Sequence, residues 1–251
     1  EVDADFVSIS YNPSGGGGAA STLNAEILAD TPTAYWRCSE VSGNLNDSSG
    51  GAHTLTVSGT PVRSFSRLAH GLADEHIRWS SAYASRADTL GVAVPWTGSW
   101  SLEFVVLLPA GISVEQGVFC VGGPSSETEA NNYQLYASLD TGRKPLLIWE
   151  YSSGANVEFR PDPVLALGER YLIAWTKDAA SKVVRCYIDG CCVFEKSYTQ
   201  EPTGGGNSAT AVGYNSSSGT STAVLGHIAF WSGTVLSQER IQAHAVSAGV
   251  M

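Results

Sequence analysis

From Ala34 to Trp231 the chain is a succession of short runs rich in Val, Ile, Tyr, Phe and Trp, broken by clusters of Gly, Ser, Asn, Asp and Pro. That rhythm marks β-strands of roughly four to eight residues joined by turns. Runs such as Ala34–Ser39, Pro145–Glu150, Tyr171–Lys177 and His227–Trp231 follow one another without helical periodicity between them. A parallel α/β sheet is therefore disfavoured, and a two-layer antiparallel stack is expected. A length of 251 residues fits one such unit, since all-β domains commonly reach about 200–250 residues.

Two strands carry clear local chemistry. In Ser99–Leu108 one face presents Trp100, Leu102, Phe104, Val106 and Leu108. The other face starts polar at Ser101 and Glu103 and turns apolar at Val105 and Leu107, which predicts a central strand covered on both sides in its second half. Val183–Ile188 runs into Asp189-Gly190, a pair suited to the positive φ angles of a two-residue hairpin. A helix is expected near the C-terminus over Gln238–Ser247. There Ser237 is the N-cap, Leu236 and Ile241 form a hydrophobic staple, Glu239 suits the first turn and Gly249 suits the helix end.

Residues 1–24 read as a separate arm. A β-prone stretch with Phe6, Ile9 and Tyr11 precedes the glycine run Gly15 to Gly18, a flexible linker. Three large apolar side chains ahead of a linker predict docking on a partner or on a sheet edge. Residues 25–251 are then the folded domain.

Charge and cysteine usage narrow the function. The formal net charge of −10, with basic residues scattered, argues against nucleic acid as a partner. No apolar run approaches the roughly 20 residues that cross a bilayer, so no membrane insertion is expected. Cys38, Cys120, Cys186, Cys191 and Cys192 lack the regular spacing of a disulfide framework, and they are expected to be reduced and mostly buried. The adjacent Cys191 and Cys192 should point to opposite faces of a strand, which suits neither zinc nor an easy bridge.

Three stretches together resemble one family. The first is Ile27-Leu28-Ala29-Asp30-Thr31-Pro32-Thr33-Ala34-Tyr35-Trp36-Arg37 with Asp47-Ser48-Ser49-Gly50. The second is Tyr171-Leu172-Ile173-Ala174-Trp175-Thr176 with Tyr187-Ile188-Asp189-Gly190, and the third is Gly226-His227-Ile228-Ala229-Phe230-Trp231 with Leu236-Ser237-Gln238-Glu239-Arg240-Ile241 and His244. Their order and spacing resemble the concanavalin A-like lectin and glucanase superfamily in its laminin G-like branch. The opening stretch looks especially like modules of bacteriophage tail fibres and other virion surface proteins.

The resemblance implies an all-β, two-sheet antiparallel jelly-roll sandwich with an extended N-terminal arm and a short C-terminal helix. It implies a virion surface setting, as capsid decoration or fibre component, with other virion proteins and copies of itself as partners and a host-surface glycan as a further ligand. Catalysis is not expected. Glycosidases of this superfamily place carboxylates in a Glu-x-Asp-x-x-Glu pattern, and none is present; Glu127 and Glu129 fall in a polar loop. No catalytic residue, cofactor or metal ligand is assigned. Calcium, common in the family, would fall near Asp47, but an Asx-turn role is favoured there, and His227 stands where the family often has Asp. Glycan binding uses exposed aromatic rings beside polar groups. Trp36, Trp100, Trp175 and Trp231 lie in strong strand patterns and are assigned to the core. Trp96 and Tyr151, next to polar loops, are the candidate sugar platforms, and Thr203–Ser221 is a candidate binding loop.

Overall fold

The computed structural model describes residues 22–66, 76–80, 82–87, 90, 96–110, 114–121, 135–152, 155–202, 209–214 and 221–251. The candidate arm residues Phe6, Ile9 and Tyr11, the Glu127/Glu129 pair and most of segment 203–221 lie outside them. One sheet runs in the order β13 (Cys191–Ser197), β12 (Val183–Ile188), β11 (Arg170–Asp178), β6 (Trp100–Leu107), β15 (Val224–Ser232), β4 (His76–Arg78) and β3 (Val62–Ser66), and β1 (Ala34–Trp36) also pairs with β15. The other runs β10 (Ala155–Phe159), β9 (Pro145–Ser152), β8 (Leu135–Leu139), β7 (Gln116–Val121), β14 (Thr210–Val212), β5 (Ala82–Arg86) and β2 (Thr56–Gly59). The expected all-β antiparallel sandwich is thus the fold.

Strand alternation decides what enters the core. Trp100, Leu102, Phe104 and Val106 of β6 face inward with Phe230 of β15, meeting Phe119 of β7, Ala137 of β8, and Leu147 and Trp149 of β9 in one cluster. Phe119 and Phe230 stack across the sheets at 6.0 Å. Burying each large side chain of this kind contributes about 1.5–3 kcal/mol, the dominant favourable term. The Asp189-Gly190 turn has φ of 49° and 79°, the positive pair that an Asp-Gly hairpin supplies.

Helix α2 spans Gln238–Ala248, with Ser237 capping through Arg240 N–H and Gly249 in the left-handed region at φ 69°. Helix α1, Leu23–Ala29, was not legible in the sequence. Thr22 caps it and Leu23 and Ile27 are buried, so Leu23 and Asn24, read as the end of the arm, belong to the folded body. Strands β3 and β5 were missed as well. Their segments, VRSFS and AYASR, carry little β-branched character; they are strands because β4, β2 and β14 offer them ladders.

Three further readings are corrected or refined. The polar half of β6 is covered too, since Ser101 and Glu103 are buried. Cys38, Cys120 and Cys186 are buried thiols outside any disulfide, but Cys191 and Cys192 are both exposed at the start of β13, the edge strand of its sheet. Asp47 is the expected turn former: its carboxylate accepts N–H bonds from Tyr35 (3.0 Å), Ser49 (2.8 Å) and His53 (2.9 Å). Burial opposes its charge, and those bonds outweigh burial to hold its pKa below the usual value. Among the described residues no group of three or more His, Cys, Asp or Glu is placed to hold a metal ion, and no helix is long and apolar enough to cross a membrane.

Candidate functional site

The two outer faces of the sandwich are built differently. On the eight-stranded sheet, directly opposed residues form the row Tyr35, Ala229, Glu103, Ala174, Tyr187, Cys192. Small Ala229 and Ala174 flank Glu103 and leave a trough. Helix α2 settles there with Ile241, Ala245 and Ala248 buried, and Leu23 and Ile27 of α1 pack in the same apolar layer. That face is occupied by the protein's own chain.

On the seven-stranded sheet the corresponding row crosses every strand: Thr56, Ser85, Ala211, Cys120, Tyr136, Ile148, Glu158. Beside it Tyr83 of β5 meets Tyr214 edge to face at 5.5 Å. Cys120, Tyr136, Ala211 and Tyr214 form a small apolar cluster, with Tyr83 and Ile148 half-buried against it. Among the described residues no helix lies over this face. It is therefore the candidate site: tyrosine rings and aliphatic groups at the centre, hydroxyls and carboxylates at the margins.

Its polar groups are perturbed by burial. Desolvation raises the Tyr136 phenol well above its usual value, and neighbouring Glu115 adds to the shift. Glu115 itself accepts a hydrogen bond from Ser138 Oγ at 2.7 Å. Glu150, on β9 next to Tyr151, is buried, and desolvation pushes its carboxyl up to about 7. At neutral pH this face holds a carboxyl poised between acid and carboxylate.

Of the residues singled out from sequence, Tyr151 is half-buried at the end of β9, in the strand parity of core-facing Leu147 and Trp149 rather than that of Ile148 and Glu150. Trp96 is not a platform: it is 1% exposed, and its ring packs 4.7 Å from Phe230 inside the core. All seven tryptophans, including Trp79 and Trp149, are buried. Of the tyrosines on this face Tyr83 is half-buried, whereas Tyr136 is 2% and Tyr214 7% exposed, so Tyr83 is the accessible ring among them; all three were missed. Period-two alternation could have placed Tyr83 and Tyr136 opposite the core-facing Ala84 and Ala137. It could not have placed them on adjacent parts of one face, because strands distant in sequence pair there.

The fold defines a two-sheet β-sandwich with helices packed on one side. Similar solved structures include the binding domain of botulinum neurotoxin DC in complex with rat synaptotagmin II (TM-score 0.64, 9% identity, 88% of this chain and 52% of that chain). A structure described as a receptor binding domain has TM-score 0.68 and 9% identity, over 91% of this chain and 53% of that one. A Trypanosoma rangeli sialidase bound to a difluoro-KDN has TM-score 0.63 and 12% identity, over 95% of this chain and 35% of that one. The chain thus spans about half or less of each, and at these identities the likeness is one of fold. No protein family model matches the chain, and no curated protein does.

Proposed function

We propose that this chain is a non-catalytic binding module that recognises a glycan on the outer face of its seven-stranded sheet. The observation that carries the reading is the half-buried Tyr83 ring, set edge to face on Tyr214 beside the polar ends of the row from Ser85 to Glu158, on the face without a described helix. Rings flanked by hydroxyls and carboxylates match the apolar patches and hydroxyls of a sugar. Two of the similar folds have carbohydrate ligands: botulinum neurotoxin DC in complex with SialylT, and neurotoxin type C, whose cell entry depends on two ganglioside molecules. Neither Tyr151 nor Trp96 is part of this row. Screening the full chain on a glycan array tests this. The expected result is a saturable ligand whose affinity falls at least about tenfold in Tyr83→Ala; binding that ignores Tyr83→Ala would discard the site.

The setting we propose is a virion surface, with residues 1–24 as the attachment arm. Support comes from the resemblance of the opening stretch, residues 27–50, to phage laminin G-like modules and from the apolar residues ahead of the glycine linker. Deleting residues 1–21 removes the arm and leaves Thr22 to cap α1. Loss of particle incorporation, or of self-association by light scattering, is expected; unchanged behaviour in both would end the proposal. A hydrolytic reading has one observation in its favour. Glu150 and Glu158 are diagonal neighbours across β9 and β10, so two carboxylates share one region of the outer face, as the paired carboxylates of glycosidases do. Glu158, however, is already engaged by Arg160 at 3.2 Å, and turnover of any bound glycan would overrule the binding reading.

A further inference from the structure

We propose that the ligand of the outer face is an uncharged sugar, read by the Tyr83 ring and a patch of uncommitted hydroxyls from Thr56, Ser58 and Ser85, and that sialylated, uronic and sulfated sugars are excluded. This names the ligand class for the binding reading given above and rests on that reading.

Strand pairing assembles the patch. Residues directly opposed across an antiparallel ladder point their side chains to the same side of the sheet. Between β2 and β5, Thr56 opposes Ser85 and Ser58 opposes Tyr83. The pair between them, Val57 and Ala84, packs on the core, so Thr56, Ser58, Tyr83 and Ser85 all project from the outer face. Thr56 is exposed and the other three are half-buried. Because β2 ends its sheet, the patch lies at the margin of the face, open on one side. Two residues along a strand span roughly 6.5 Å, about the width of a single pyranose ring.

The polar groups farther along the face are already engaged. Ser138 donates to Glu115 at 2.7 Å, and Glu158 is held by Arg160 at 3.2 Å. The side-chain hydroxyls of Thr56, Ser58, Tyr83 and Ser85, in contrast, have no hydrogen-bond partner among the described residues. The ring among them is fixed in advance. Tyr83 meets Tyr214 edge to face at 5.5 Å. Tyr214 follows Gly213, whose N–H donates to the Val118 carbonyl at 3.0 Å and whose carbonyl accepts from Ser221 N–H at 3.1 Å. Gly213 has a φ of 72°, and a Cβ there would fall 2.6 Å from the Trp79 ring, so only glycine allows the chain to lie this close. A platform held in this way loses little freedom on binding.

Charge then selects the sugar. A hydroxyl both donates and accepts, which suits the hydroxyls of a neutral sugar. A carboxylate or sulfate that leaves water needs a cation or several N–H donors in return. The seven strands of this sheet carry one basic residue, Arg86. It has the strand parity of core-facing Ala84, and its Nη1 donates to the Ala52 carbonyl at 3.1 Å. The charged residues of these strands with outward parity are Glu150 and Glu158, and the chain as a whole carries −10. An anionic sugar on this face therefore meets repulsion and finds no cation among the described strand residues.

The test is a printed array in which each neutral oligosaccharide stands beside its sialylated, uronic acid-capped or sulfated form, probed with the full chain. Saturable binding is expected to favour neutral members over their acidic counterparts by at least about tenfold. Ser58→Ala and Ser85→Ala should each weaken it by about threefold or more. Ser58→Arg, a change on the terminal strand, should raise binding of the acidic members towards that of the neutral ones, a gain that misfolding cannot produce. Binding of acidic members by the unaltered chain as tightly as neutral ones, and sensitive to Tyr83→Ala, overturns the charge selection while the binding reading stands. Neutral binding indifferent to all three serine variants overturns the hydroxyl patch. Binding of no member overturns this inference together with the reading beneath it.

Discussion

Each outer face of the sandwich is crossed by a row of opposed residues with small side chains near its middle, yet the two have different fates. Beside Ala229 and Ala174 the trough receives α2 and buries a Glu103–His244–Asp30 charge relay. Beside Ala211 and Cys120 the neighbours are Tyr83, Tyr136, Tyr214 and Ile148, and no described helix covers them. Strand pairing supplies the same scaffold to both. What differs among the described residues is that a helix brings a complementary apolar stripe and a matching charge to the first face alone. That face commits its polar groups to stability, while on the second the half-buried Tyr83 is the ring the proposed binding uses.

That contrast can be broken in graded steps. Glu103→Gln should have the largest effect, about 3–5 kcal/mol of stability, because it leaves the His244 cation buried without its main partner; chemical denaturation would measure it, and a loss below about 1 kcal/mol would mean that the charges on the helix face are dispensable. Glu150→Gln, on the other face, should act through pH. The carboxyl is held at about 7 in the folded chain against about 4.3 unfolded, so it contributes stability at low pH that is lost as pH rises through about 7. The variant should come closest to wild type at about pH 4, where the carboxyl is largely protonated in both states, and exceed it at pH 8, with a difference on the order of 2 kcal/mol visible in melting temperature. Tyr83→Ala should change stability least, by about 1 kcal/mol for a half-buried ring, while removing most of the glycan affinity. If it instead destabilised as strongly as Glu103→Gln, the two faces would be equivalent structural layers.

Much of this architecture is written locally. Alternation in Ser99–Leu108 fixes which side of β6 enters the core, Asp189-Gly190 fixes a hairpin, and Ser237 with Ile241 fixes the start of α2, all from contacts within a few residues. Helix α1 was invisible because seven residues with two buried anchors carry no periodic signal; it exists through Arg240, some 210 positions away. Trp96 was misread for a related reason: its position beside a polar loop suggested the rim, whereas Phe230 gives it a place in the core. The missed tyrosines come from strands that meet only in the folded sheet.

The sequence by itself determined the class of fold, because strand period, turn chemistry and helix caps are short-range properties of the chain. Only the tertiary structure decided what each outer face is for. Whether Glu103 is a solvated carboxylate or a buried anchor depends on His244 arriving from 141 positions along the chain. Whether Glu150 is an ordinary surface group or a carboxyl near 7 depends on its burial in the folded sheet. Desolvation and charge pairing are set by distance in space, and only folding brings those groups together.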